Sequence, residues 1–248
     1  MKYMTKPSSV AAAVALAVAA MGAGVAHAQD AKPDHEVSYN AAVTTDYRYR
    51  GISQSRLKPA VQAGADYTNN PTGLYVGTWA SSIKWVKDGG GDTNLEWDIY
   101  GGKRGEIAPG VSYDVGGLYY FYPSNGLKPS ANTFELYGQI GYGPATLKYS
   151  SSTTNLFGFA DSKRSGYLDA QVNQEIAAGL VLNLHVGHQK VRNNSAASYT
   201  DYKIGVTKDF GVASVSLAVV KANSDAYVGA GGKDLAKTGA VLTVSKVF

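Results

Sequence analysis

The sequence predicts an all-β chain, a transmembrane antiparallel up-and-down β-barrel of about 12 strands. Three observations predict it. The chain opens with an export leader, segments of period-two alternation recur from there to the last residue, and the connections between them alternate long and short.

The leader comes first. Lys2 and Lys6 precede the apolar run Val10 to Ala20, and a small-residue stretch closes with Ala26-His27-Ala28. A basic start, a short apolar run and an A-x-A site describe a secretory signal peptide. The run is shorter than the roughly 20 apolar residues that a spanning helix needs. Residues 1–28 are therefore expected to be a Sec-pathway signal removed before Gln29, and residues 29–248 to form one barrel domain, with no composition shift marking a second.

Composition narrows the class. Loss of Lys2 and Lys6 takes the 23 basic residues to 21, against 19 acidic ones, which is no nucleic-acid footprint. Cysteine is absent, so disulfides cannot staple the exported chain. Gly (29) and Tyr (18) are abundant, and charged residues make up 17%, below the roughly 25% usual in soluble domains.

The alternating segments fall near residues 37–49, 57–68, 73–84, 94–104, 111–122, 133–142, 145–152, 166–176, 180–190, 199–208, 212–221 and 237–248. Most have the length of a tilted strand crossing a bilayer. In the first, Val37, Tyr39, Ala41, Val43, Thr45, Tyr47 and Tyr49 share one face, and Ser38, Asn40, Thr44, Asp46 and Arg48 the other. The third segment is ambiguous, because Val76 and Trp79 fall on opposite faces.

Long polar connections at 50–56, 85–93, 123–132, 153–165, 191–198 and 222–236 alternate with Gly/Pro-rich turns at 69–72, 105–110, 143–144, 177–179 and 209–211. Outer-membrane barrels have this beat, with short periplasmic turns, long outer loops and both termini inside. Tyr47 with Tyr49, and Tyr119 with Phe121, end strands just before long loops, which predicts an aromatic girdle at the headgroup level. At the C-terminus Ala240, Leu242, Val244 and Phe248 share a face. That ending resembles the terminal-strand signal of the barrel assembly machinery, with Phe248 as its anchor, although Lys246 departs from the usual apolar pattern.

Parity assigns a charged lumen. The residues expected to line it are Asp46, Arg48, Lys58, Asp66, Glu96, Asp98, Arg104, Asp114, Glu135, Lys148, Asp169, Glu175, Asp201, Lys203 and Lys237. Facing hydrocarbon, such charges would cost several kcal/mol each. Acids outnumber bases, and Asp46, Asp66, Glu96, Asp98 and Asp114 come from neighbouring strands, so a weak cation preference is expected. Arg50, Arg56, Lys87, Lys128, Lys163, Arg164, Arg192 and Lys233 fall in outer loops, where a basic rim suits lipopolysaccharide phosphates.

Enzyme signatures are poor. No G-x-S-x-G occurs, and on one strand His185 and His188 point to opposite faces, so they do not converge on a metal or a serine. No catalytic residue, metal or cofactor is expected.

The stretch "NAAVTTDYRYRGISQSRLKPAVQAGADY" (Asn40 to Tyr67), with "GLYVGTWASS", "LEWDIYGG" and "GVSYDVGGLYYFYP", resembles the proteobacterial TorF family of porin-like proteins, also called Gcw_chp. The resemblance spans nearly the whole exported chain. It implies a signal-bearing outer-membrane barrel acting as a channel, with no established substrate and no catalytic residues to carry over. The expectation is thus a monomeric channel for passive diffusion of small hydrophilic solutes, contacting lipid, lipopolysaccharide and the assembly machinery. The alternatives are a closed barrel serving structure or surface interaction through its basic loops, and an outer-membrane lipid enzyme.

Overall fold

A computed structural model describes residues 33–248, so the expected signal at 1–28 lies outside the described residues. Twelve antiparallel strands form a closed barrel. They are β1 (His35–Thr44), β2 (Ala60–Asn69), β3 (Leu74–Ser82), β4 (Leu95–Ala108), β5 (Val111–Phe121) and β6 (Thr133–Tyr142). There follow β7 (Ala145–Ser152), β8 (Gly166–Ala177), β9 (Leu180–Lys190), β10 (Tyr199–Asp209), β11 (Ser214–Ala222) and β12 (Gly239–Val247). Each strand pairs with its chain neighbours, and β1 closes the ring on β12 from Asn40↔Val247 to Thr44↔Thr243. The seam runs on past β12, where the Phe248 N–H donates to the Tyr39 carbonyl at 2.8 Å. Closure leaves no strand edge, which hydrocarbon demands of any spanning sheet.

Alternation decides which side chains meet lipid. Val43, Val61, Ile99, Leu136, Ile204, Leu217 and Val244 point outward and are exposed, while Thr44, Gln62, Asp98, Glu135, Thr207 and Ser245 point inward and are buried. The third segment resolves the same way: Trp79 is inward and buried, and Val76 outward. Apolar-out, polar-in strands are the arrangement a bilayer selects.

Aromatic side chains mark both ends of this band. Near the long loops, Trp97 and Tyr119 flank Phe121 with ring centroids 6.2 and 6.0 Å away. Near the short turns, Tyr67, Tyr142, Phe210 and Phe248 are exposed.

The first strand differs from its sequence expectation. β1 stops at Thr44, where its pairing with both β2 and β12 ends. Just beyond it the Thr45 N–H still donates to the Leu242 carbonyl of β12 at 2.9 Å, and the residues after it up to 59 turn into the barrel and pair among themselves, Arg48↔Ser53 and Tyr49↔Ile52. Tyr47 is therefore no girdle residue. It lies inside the lumen, 2% exposed, with its ring edge-on to Trp79.

Candidate functional site: the barrel lumen

The in-folded loop divides the lumen. On the wall formed by β2 to β6, aromatic rings fill the interior: Tyr47, Tyr75, Trp79, Tyr100, Tyr120, Tyr122 and Tyr137 form one buried cluster with Leu118, Ile83 and Val86. Glycines on adjacent strands make room for these rings. Tyr100 on β4 stands opposite Gly77 on β3, and a Cβ at Gly77 would sit 2.4 Å from the Tyr100 ring. Such an inward tyrosine covers the backbone that its glycine neighbour leaves bare.

Several of these phenols serve a carboxylate. The Tyr47 hydroxyl donates to Glu96 at 2.9 Å, that of Tyr75 to Asp114 at 2.7 Å, and that of Tyr100 to Asp66 at 2.6 Å. The Tyr75 and Tyr137 hydroxyls also meet. Burial without partners makes an ionised acid costly, and the phenols supply partners that hydrocarbon side chains cannot. Asp98 is the exception: it is fully buried and neither carboxylate oxygen has a hydrogen-bond partner.

Loop residues 45–59 are tied to the opposite wall. The Arg50 guanidinium donates to both oxygens of Glu135 on β6, at 3.0 and 2.7 Å, and to Gln189 Oε1 on β9 at 2.7 Å. It also lies over the rings of Tyr49 and Tyr167, 4.8 and 4.2 Å from their centroids. Arg48 pairs with Asp46 at 2.5 Å and donates to the carbonyls of Leu235 and Lys237 in the last outer loop. Asp46 Oδ1 accepts from Ser53 and Ser55. At the tip, Gly51 (φ +79°) packs so closely that a Cβ would sit 2.5 Å from Asp201 Cβ.

Beneath this loop lies a cavity of about 220 Å³, bounded by the wall from β7 through β12 to β1 and β2. Its lining mixes neutral-polar side chains, including Gln62, Ser150, Gln171, Asn173, Asn183, Thr207, Ser216, Thr243 and Ser245, with charged residues and tyrosines. On this wall His185 is bracketed by two acids, with Nδ1 2.9 Å from Asp169 and Nε2 2.6 Å from Asp201. The Tyr167 hydroxyl donates to Asp201 at 2.8 Å. A larger concavity, about 890 Å³, lies on the outer face of β6 to β11 among Ile140, Leu147, Leu184, Ile204 and Val219, where a barrel meets lipid.

The structure places the expected lumen residues in three groups. Asp66, Glu96, Asp98, Arg104 and Asp114 sit on the aromatic-filled side, Arg104 donating to Thr68 at 3.0 Å and lying over Tyr75. Asp46, Arg48, Lys148, Asp169, Asp201 and Lys203 line the cavity, and Glu135 anchors the loop above it. Lys58, Glu175 and Lys237 are not brought in. Lys58 and Lys237 are exposed on loops because β2 and β12 begin only at Ala60 and Gly239, and Glu175 is exposed where β8 nears its turn, accepting from the Gly179 N–H.

Arg50 is likewise corrected, from outer rim to buried lumen. Arg56 is tied to Asp88, and Lys87 lies 3.9 Å from Asp92. Lys128, Lys163, Arg164, Arg192 and Lys233 are the exposed outer-loop bases. His188 points outward to Thr200. Among the described residues no group of His, Asp and Glu is arranged to hold a metal ion.

A family model described as a bacterial protein of unknown function, Gcw_chp, matches residues 28–248. The chain belongs to the Gcw_chp family. No curated protein matches this Gcw_chp sequence. Among solved structures, the KdgM porin superposes with a TM-score of 0.54 at 6% identity, over 86% of this chain and 97% of that one. The Acinetobacter baumannii outer membrane protein Omp33 gives 0.47 at 8% identity, over 86% and 97%. OprD of Pseudomonas aeruginosa gives 0.41 at 13% identity, over 86% of this chain and 65% of its own. At these identities the Gcw_chp chain shares a fold with the KdgM porin.

Proposed function

We propose that the chain is a porin-like channel for passive diffusion of small hydrophilic solutes across the outer membrane, with residues 45–59 forming its constriction. One observation carries this reading: a cavity lined by polar and charged side chains lies inside a closed barrel whose exterior is apolar. A barrel serving structure alone has no need of an interior lined by Ser, Thr, Asn and Gln instead of packed apolar side chains. The in-folded loop narrows the passage without filling it.

In this reading the chain is exported by the Sec pathway on the signal at 1–28 and inserted as a monomer by the barrel assembly machinery. Its exposed outer bases, among them Lys163, Arg164 and Arg192, suit lipopolysaccharide phosphates. The motif DYRYRGISQS supports placing it with the proteobacterial TorF group of porin-like proteins. Single-channel recording on the refolded protein tests the function. Discrete conductance steps are the expected result; a silent bilayer containing correctly folded barrel would instead favour a closed, structural role.

A further inference from the structure

We propose that Lys148 and Lys203 form a binding site in the lumen for a small organic anion, a carboxylate above all, and that the passage prefers anions to cations. The proposal rests on the channel reading above and names its solute class.

The argument is one of which charges remain available. The ion pairs among the described residues are Arg48–Asp46, Arg50–Glu135, Arg56–Asp88, Lys87–Asp92, His185–Asp169 and His185–Asp201, and Lys148 and Lys203 belong to none of them. The acids near the cavity each have a partner of their own, and Asp169 Oδ1 alone among their oxygens makes no hydrogen bond. Asp46 holds Arg48, Ser53 and Ser55; Glu135 holds Arg50 and Tyr120. Asp169 faces Lys148 across the β7–β8 ladder, but its carboxylate turns to His185 Nδ1 and accepts from Gln171 at 2.8 Å. Asp201 takes His185 Nε2 on one oxygen and the Tyr167 hydroxyl on the other.

Neither ammonium forms an ion pair with a carboxylate. Lys148 Nζ stands 3.9 Å above the Tyr137 ring, and Lys203 faces His185 across the β9–β10 ladder. Both line the same cavity. Two strands separate theirs, so their backbones stand roughly 14 Å apart along the wall at the usual strand spacing. The Lys148 ammonium lies toward the Tyr137 ring of β6, so a solute that touches both lysines spans the cavity between them. Gln171, Asn173, Asn183 and Thr207 around them offer neutral hydrogen bonds to the rest of that solute. An ammonium with no carboxylate in ion-pair contact, in a narrow passage of lowered dielectric, attracts anions. The acids that parity set against it, Glu96, Asp98 and Asp114, are at most 4% exposed behind the aromatic cluster.

Reversal potentials in a potassium chloride gradient test the proposal. The wild type should favour chloride, and Lys148→Gln with Lys203→Gln should lower the permeability ratio several-fold, while the Lys→Arg pair keeps it. A cation-preferring wild type overturns the anion site and leaves the channel reading standing, as does a preference untouched by the Gln pair. Should the protein not conduct at all, the channel reading fails instead, and titration of the folded barrel in detergent with sodium gluconate still decides the site. Binding that weakens roughly tenfold or more in the Gln pair, the loss expected when a charge partner is removed, supports it. Absence of binding in the millimolar range overturns it. Heat-modifiable migration confirms folding of each variant.

Discussion

Arg50 reaches from the first outer loop across the lumen and grips Glu135 on β6 with two hydrogen bonds, of 3.0 and 2.7 Å. Their side chains are 7% and 2% exposed, so both charges depend on each other for solvation. The contact ties the loop to the wall opposite its own root. In the proposed channel it would therefore set the aperture of the ring that the barrel supplies.

Removing the grip should therefore change function and stability together. Arg50→Ala is expected to raise single-channel conductance and to lower stability by about 3–5 kcal/mol, the usual cost of orphaning a buried partner. Adding Glu135→Gln should return much of the lost stability, since no buried charge is then left alone, while conductance stays high. Conductance unchanged in both variants would show that the loop does not limit flow.

Gly51 offers a test without touching a charge. Its φ of +79° and the 2.5 Å approach of a would-be Cβ to Asp201 Cβ leave no room for a methyl group against rigid atoms. Gly51→Ala should push the loop tip off β10 and widen the passage, at a backbone cost of about 1–2 kcal/mol. Its conductance should shift in the same direction as that of Arg50→Ala. A shift the other way would mean that the tip holds the passage open.

The topology predicts which loops the cell displays. The connection at 153–165 lies at the long-loop end, but Phe157 is packed against Tyr49, Tyr120 and Tyr122, so an insertion there would disturb the loop cap. Lys163 in the same loop is exposed. An epitope inserted at Lys163 should be labelled on intact cells, and one at Pro71, in a short turn, only after permeabilisation. The reverse pattern would invert the barrel.

What the sequence made legible follows from period two. Alternation and turn chemistry act locally, so the twelve strands, their facing and the long–short beat could be read from neighbouring residues. Trp79 resisted because both faces of β3 carry apolar side chains, and only the filled interior shows which is inward. Tyr47 and Arg50 resisted for a different reason. Their alternation continues that of β1, and nothing local records that both neighbouring ladders end at Thr44. Parity placed Glu96 and Asp98 inside but could not say that Tyr47 and Tyr120 would cover them, since those rings arrive from other parts of the chain. Lys58 and Lys237 were misplaced because their strands start three and two residues later than the alternation suggested, at Ala60 and Gly239.

The last residue should matter for assembly. Phe248 exchanges backbone hydrogen bonds with Tyr39 at the closing seam, at 2.8 and 3.3 Å, and its ring projects outward under Lys246 Nζ. Deleting it removes both bonds from a seam whose register spans only Asn40 to Thr44 on the β1 side. Slower appearance of the heat-modifiable form is expected, with export unaffected. Assembly at the wild-type rate would leave the terminal ring without a role.

Asp98 lies within the aromatic-filled side of the lumen. It is 0% exposed, both its oxygens lack hydrogen-bond partners, and it sits across from Trp79 and Tyr120 in the ladders. Glu96, two residues away, is held by Tyr47. If solute passes through the cavity bounded by β7 to β12, neither acid meets it. Asp98→Asn with Glu96→Gln should then leave the reversal potential where it is, whereas the parity of the sequence alone would have them govern it. Stability should respond instead. An unpartnered buried carboxylate is costly, and Asn removes the charge at nearly constant volume, so Asp98→Asn alone is expected to raise the thermal midpoint, by on the order of 1 kcal/mol in stability. Glu96→Gln, which weakens a made hydrogen bond, should lower it. A selectivity that moves with either substitution would place the conducting path on the aromatic side, between β2 and β6, and would require the rings of Tyr47, Tyr100 and Tyr120 to swing aside in the open channel.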